Sequence, residues 1–126
     1  MSRPPGPRVD RVARTLSDII RFTDTAARLV ARGKDAYDSD EALRLAAEAI
    51  LHKIGEAVAR LPEEFIAVHP EVAWRSMKAT RNVVAHKYDH VDYEIIWNAL
   101  AHRLPAEASR IREILINHAA EGLGGG

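Results

Sequence analysis

Cysteine is absent from the chain, which removes disulfides, thiolate zinc sites and a cysteine nucleophile together. The absence also fits a reducing compartment. No apolar run approaches the roughly 20 residues that a membrane-spanning helix needs. The opening stretch "MSRPPGPRVD" lacks the apolar segment of a secretory signal. Together these gaps predict a cytoplasmic protein with no membrane association. An excess of either charge is missing too, since 18 Lys and Arg balance 18 Asp and Glu. A neutral chain does not live by bulk electrostatic attraction to nucleic acid or lipid. Strand-like alternation and internal repeats are also lacking.

What is present is material for one helical domain. The 126 residues are 47% hydrophobic and 29% charged, enough for a core that needs no metal or disulfide staple. Val9, Val12, Leu16, Ile19, Ile20, Thr23, Ala26, Ala27 and Val30 recur at three- and four-residue steps, the stripe of one long helix that Gly33 stops. The run "DSDEAL" offers N-caps, with Asp38 and Glu41 spaced as a capping box. A second helix follows, with Leu43, Ala47, Ile50, Leu51, Ile54, Val58 and Leu61 inward. Pro62 opens a short helix, "PEEFIAV", which His69-Pro70 closes. Another begins near Glu71 and carries the polar motif discussed below. Asp92 caps a last helix whose stripe includes Ile95, Ile96, Ala99, Leu100, Leu104, Ile111, Ile114 and Leu115, with Pro105 predicted to kink it. The expected architecture is an all-α, up-down bundle of four main helices plus a short one. The expected organisation is a disordered arm over 1–7, the bundle over 8–118 and a flexible Gly-rich tail over 119–126.

Charge is unevenly distributed. From Val72 to Tyr88 there is no acid, while Arg75, Lys78, Arg81 and Lys87 give a net +4, leaving −4 for the rest. Within this basic window lies "TRNVVAHKYDH", Thr80 to His90, which gathers Arg81, Asn82, His86 and Tyr88. An imidazole titrates near pH 6.5 and can take a proton from a hydroxyl at cellular pH. A guanidinium keeps its charge and forks onto phosphate oxygens. The pair suits attack of an RNA 2′-hydroxyl on its neighbouring phosphate, with Arg81 stabilising the charge that grows there. Asn82 would hold the phosphate or orient His86, and Arg75, Lys78 and Lys87 would track a single strand. At about 100° per residue, Arg81 and Tyr88 share a helix face while His86 points about 140° away. Either the helix breaks near His86 or a second copy of the chain completes the site.

The acids do not cluster into a metal set, and no cofactor is implied. His52, His69, His90, His102 and His118 lack the spacing of metal ligands. "HKIGE" from His52 superficially resembles a zinc-protease helix, but the second histidine is missing. Trp74 and Trp97 read as core or interface anchors rather than base-stacking platforms.

The pattern Arg81, four residues, His86, one residue, Tyr88 resembles the Rx4HxY signature of the HEPN superfamily, and most of all its HepT-like toxins. The segments "DIIRFTDTA", "HKIGEAVARLPEEF", "HPEVAWRSM" and "VDYEIIWNAL" resemble that family's in the same order, so the likeness covers about residues 8 to 116. Ala79-Thr80 stands where relatives often carry a small residue and methionine. The resemblance implies a HEPN-like bundle that dimerises with both motifs facing a shared cleft. It implies metal-independent RNA cleavage by Arg81 and His86, as the toxin of a type II or VII toxin–antitoxin pair. It also implies a nucleotidyltransferase antitoxin (MNT-type) that can place AMP on Tyr88. Phosphate there would repel RNA, block the cleft and raise the pKa of His86. The alternative is a non-nuclease HEPN subunit that docks such a nucleotidyltransferase and is its modification substrate. A third reading is a plain helical interaction protein in which Arg81 and His86 form a solvated rim.

Overall fold

The computed structural model describes residues 7–85 and 92–124, with side chains over 11–81 and 92–120. Among these residues every regular element is helical: α1 (Pro7–Val30), α2 (Lys34–Ser39), α3 (Glu41–Ala59), α4 (Glu63–Ala67), α5 (Trp74–Ala85), α6 (Tyr93–Asn98), a π-turn (Ala99–Arg103) and α7 (Leu104–Gly124). The all-α bundle read from periodicity is therefore the fold. No described helix is long and apolar enough to cross a membrane. The arm expected over 1–7 lies, for residues 1–6, outside the described residues, and α7 continues through most of the expected Gly-rich tail.

The predicted stripes form the core. Leu16, Ile19, Ile54, Ile96, Leu100, Ile111 and Val58 are essentially inaccessible, and both tryptophans are buried with them. α3 packs on α5 and on α1, α1 packs on α7, and α6 closes onto α3. Two stripe members depart from expectation: Ile95 is 52% exposed, and Leu29 is buried where Ala27 is not. The cap of α3 is Asp40, which accepts from Ala42 N at 2.9 Å, rather than Asp38. Asp38 is instead inside α2, where it accepts from Lys34 Nζ. Gly33, at φ 94°, ends the turn after α1 and opens α2 directly, a conformation that favours glycine.

α2 escapes sequence reading, yet it supplies the largest fully buried side chain, Tyr37. Its ring lies 4.9 Å from that of Trp97, and its hydroxyl donates to Tyr93 O at 2.8 Å. Lys34 reaches across to Glu94 at 2.7 Å, so α2 fastens the start of α6. Burial pushes the Tyr37 phenol up to about 12 from an ordinary 10.0. A value raised by folding gives stability that is complete below pH 10 and lost as pH climbs towards 12. Tyr37→Phe is expected to cost about 1 kcal/mol at pH 8 and to flatten the alkaline loss measured by urea denaturation. A slope remains in the variant, because the hydrogen bond to Glu48 raises Tyr93 and the bonds to Glu94 and Asp38 raise Lys34. An unchanged alkaline slope in Tyr37→Phe would contradict this assignment.

Ahead of Pro105, where a kink is expected, the helix widens into a π-turn over Ala99–Arg103. Leu104 N–H bonds to Ala99 O, five residues back, and Pro105 then occupies the first turn of α7, where its missing N–H costs little.

Candidate functional site

Arg81 is the member of the motif whose side chain is described, and its place is set by a close helix crossing. α3 and α5 meet at Gly55, which is buried. A Cβ built there would come within 2.8 Å of Arg81 Cβ, 3.0 Å of Arg81 N and 3.2 Å of Lys78 O. Only a residue without a side chain lets the α5 backbone come this near. Thr80 adds a polar link, with its hydroxyl donating to Met77 O at 2.7 Å and lying 3.3 Å from Leu51 O on α3. Of the Ala79-Thr80 pair, Thr80 makes these contacts while Ala79 is exposed.

From this anchored backbone the Arg81 side chain reaches a surface where 31% of it is accessible. Its Nη1 lies 3.7 Å from Glu56 Oε1, and the same oxygen lies 3.9 Å from His52 Nε2. Sequence reading set "HKIGE" aside as a failed metal motif. It missed that Glu56, one helical turn from His52, comes to Arg81. The signal available was that four-residue step around a glycine.

His52 and Glu56 belong to a polar row on α3 that also contains Arg44 and Glu48, each four residues from the next. Arg44 donates to the carbonyls of Tyr37 and Asp38, at 3.1 and 2.6 Å, and its guanidinium lies 5.7 Å from the centre of the Tyr93 ring. Glu48 is buried and accepts a 2.6 Å hydrogen bond from Tyr93 Oη. The two elements that flank residues 86–91 therefore both dock on this row, α5 through Arg81 at Glu56 and α6 through Tyr93 at Glu48. About 12 Å of helix separates the two docking points.

Arg75 and Lys78 are exposed on α5 and line a groove with Val58, Glu63, Ile66 and Trp74. With Arg81 they fan across about 120° and 9 Å of the helix. Asn82 is within α5, but its side chain lies outside the described residues, as do His86, Lys87 and Tyr88 entirely. Among the described residues no three His, Asp or Glu side chains gather where they could hold a metal ion.

The family model for HepT-like ribonucleases matches residues 13–114, a span that includes Arg81, His86 and Tyr88. The chain belongs to the HepT-like family. Relatives of this HepT-like chain include a Methanocaldococcus jannaschii protein named "Putative RNase", 34% identical over 104 residues, which are 82% of this chain and 81% of the relative. Another is a Thermococcus cleftensis protein named "Probable ribonuclease HepT", 29% identical over 75 residues, or 60% of this chain and 68% of that one. No solved structure matches. The matched span takes in the crossing of α3 and α5 and the solvent-facing guanidinium of Arg81.

Proposed function

We propose that this HepT-like chain is a metal-independent endoribonuclease, the toxin of a toxin–antitoxin pair, working as a homodimer. The observation that carries the reading is a family match spanning the whole motif, joined to a motif arginine that the α3–α5 crossing holds at the surface. His86 takes the proton from an RNA 2′-hydroxyl. The freed oxygen attacks the adjacent phosphorus, the bond from phosphorus to the 5′-oxygen breaks, and a 2′,3′-cyclic phosphate remains. The departing 5′-oxygen recovers a proton from the imidazolium or from water. Arg81 neutralises charge as it builds on the non-bridging oxygens, with Asn82 beside it. Arg75, Lys78 and Lys87 hold the strand on either side. A second protomer brings its own Arg81 and His86 to the same cleft.

Inhibition acts on the same stretch of sequence, at Tyr88. The Tyr88 hydroxyl attacks the α-phosphate of ATP in the active site of a partner nucleotidyltransferase, and pyrophosphate leaves. The tyrosyl-AMP adds negative charge beside Arg81 and His86 and turns RNA away.

The deciding assay is cleavage of single-stranded RNA by the purified chain in EDTA. The expected products end in 2′,3′-cyclic phosphate, and the all-deoxy strand stays intact because it lacks the attacking hydroxyl. Cleavage that stops in EDTA, or that severs the deoxy strand, would refute the mechanism.

A further inference from the structure

We propose that Glu56 is the positioning residue for Arg81, an inference that rests on the catalytic reading of that arginine. Four observations converge on it. Gly55 fixes the α5 backbone against α3 at Arg81 itself. The next residue along α3 sets its carboxylate 3.7 Å from Arg81 Nη1. Both side chains are partly open to solvent, at 31% and 45%. Glu56 sits in the same four-residue row as Glu48, which holds Tyr93 on the far side of residues 86–91.

The separation is that of an ion pair, longer than the 2.7–3.2 Å typical of an N–H···O hydrogen bond. It biases where the guanidinium points without locking it. A guanidinium presents five N–H donors, and Glu56 faces one nitrogen. Among the described residues no side chain pairs with the edge formed by Nε and Nη2, which can fork onto a phosphate. An arginine carries substantial rotamer freedom, and one held near its working direction loses less on meeting substrate. The carboxylate also repels incoming phosphate, so its removal has two opposite effects. Substrate binds no worse or better, while the arginine is less often aimed at the reacting phosphorus. A residue that only supported the fold would not separate KM from kcat in this way.

The full-length chain and its Glu56→Gln, Glu56→Asp and Arg81→Ala variants are compared on a mixed-sequence oligoribonucleotide. In parallel, 15N relaxation of the Arg81 Nε–Hε group is measured in the wild type and in both Glu56 variants, without RNA. For Glu56→Gln the expected result is a kcat at least tenfold lower, with KM unchanged or reduced. The order parameter of Arg81 Nε–Hε falls in the same variant, and Tm stays within about 4 °C because partly exposed pairs contribute little to stability. Glu56→Asp, which keeps the charge, recovers part of both readouts.

Three results would overturn the proposal. One is an unchanged Arg81 order parameter in Glu56→Gln. Another is kcat within twofold of wild type in Glu56→Gln while Arg81→Ala is inactive. The third is a loss of kcat that simply tracks a large fall in Tm. If Arg81→Ala cleaves as the wild type does, the catalytic reading of Arg81 fails instead. The relaxation measurement still reports whether Glu56 orders the guanidinium.

Discussion

Arg81→Ala is expected to lower RNA cleavage by about three orders of magnitude while leaving the bundle folded. Removing one preorganised charge-stabilising donor from an active site costs about 10²–10³ in rate. Arginines that neutralise phosphoryl transition states are worth about 10³–10⁵. The fold has little at stake, since the Arg81–Glu56 pair is partly exposed and longer than a hydrogen bond. Such pairs contribute about 0.2–1 kcal/mol. Arg81→Lys separates charge from shape. It restores a cation near the phosphate but not the planar fork, so it should recover only part of the loss. The comparison needs initial rates on one RNA substrate and circular dichroism melts of all three proteins. Wild-type rates in Arg81→Ala would end the nuclease assignment of this residue. An unfolded variant would show that the arginine carries structure instead.

Gly55→Val is expected to cost more than about 3 kcal/mol, and the smaller change Gly55→Ala about 1–2 kcal/mol. Two of the three atoms that crowd the new Cβ belong to the α5 backbone, Arg81 N at 3.0 Å and Lys78 O at 3.2 Å. Rotating a side chain cannot relieve them, so α5 itself must move. Overpacking of this kind typically costs 1–3 kcal/mol. Alanine returns up to about 1 kcal/mol through its better helix propensity, which leaves a net loss. Valine adds two methyl groups at the same crossing and gives nothing comparable back. Domains of this size are stable by about 5–15 kcal/mol, so the valine variant stands close to its limit. Activity should fall in both variants, because whatever relieves the clash displaces Arg81. Denaturant titration of the two variants measures the first effect, and RNA cleavage by the folded fraction measures the second. A rise in stability for Gly55→Ala would mean that propensity outweighs the clash and that the helices cross less closely.

The long helices were legible because each has enough turns for its apolar stripe to repeat. α2 was not. Six residues cannot display a period, and its acids read as caps for the helix that follows. Missing α2 meant missing Tyr37, although it is wholly buried. Between Asp38 and Asp40 the choice of cap turned on α2, since Asp38 lies inside that helix and pairs with Lys34 one turn back, which leaves Asp40 to cap α3. Arg81 could be singled out because its chemistry travels with a local spacing. Glu56 offers only its four-residue step from His52, and its approach to Arg81 depends on two helices crossing at a glycine 26 positions before Arg81 in the chain.

Three successive four-residue steps, Ile96 to Leu100 to Leu104 to Ala108, would each drift about 40° on an ordinary α-helix. All four residues are nevertheless buried, because the wider turn at Ala99–Arg103 absorbs the excess. The surplus residue thus acts as a spacer between two cogs, keeping the halves of one long rod meshed with different neighbours. Losing a single position from that turn would swing α7 by about 100°. Leu104, Ile111 and Ile114 would then face water, so this stretch can exchange one residue for another far more readily than it can shorten.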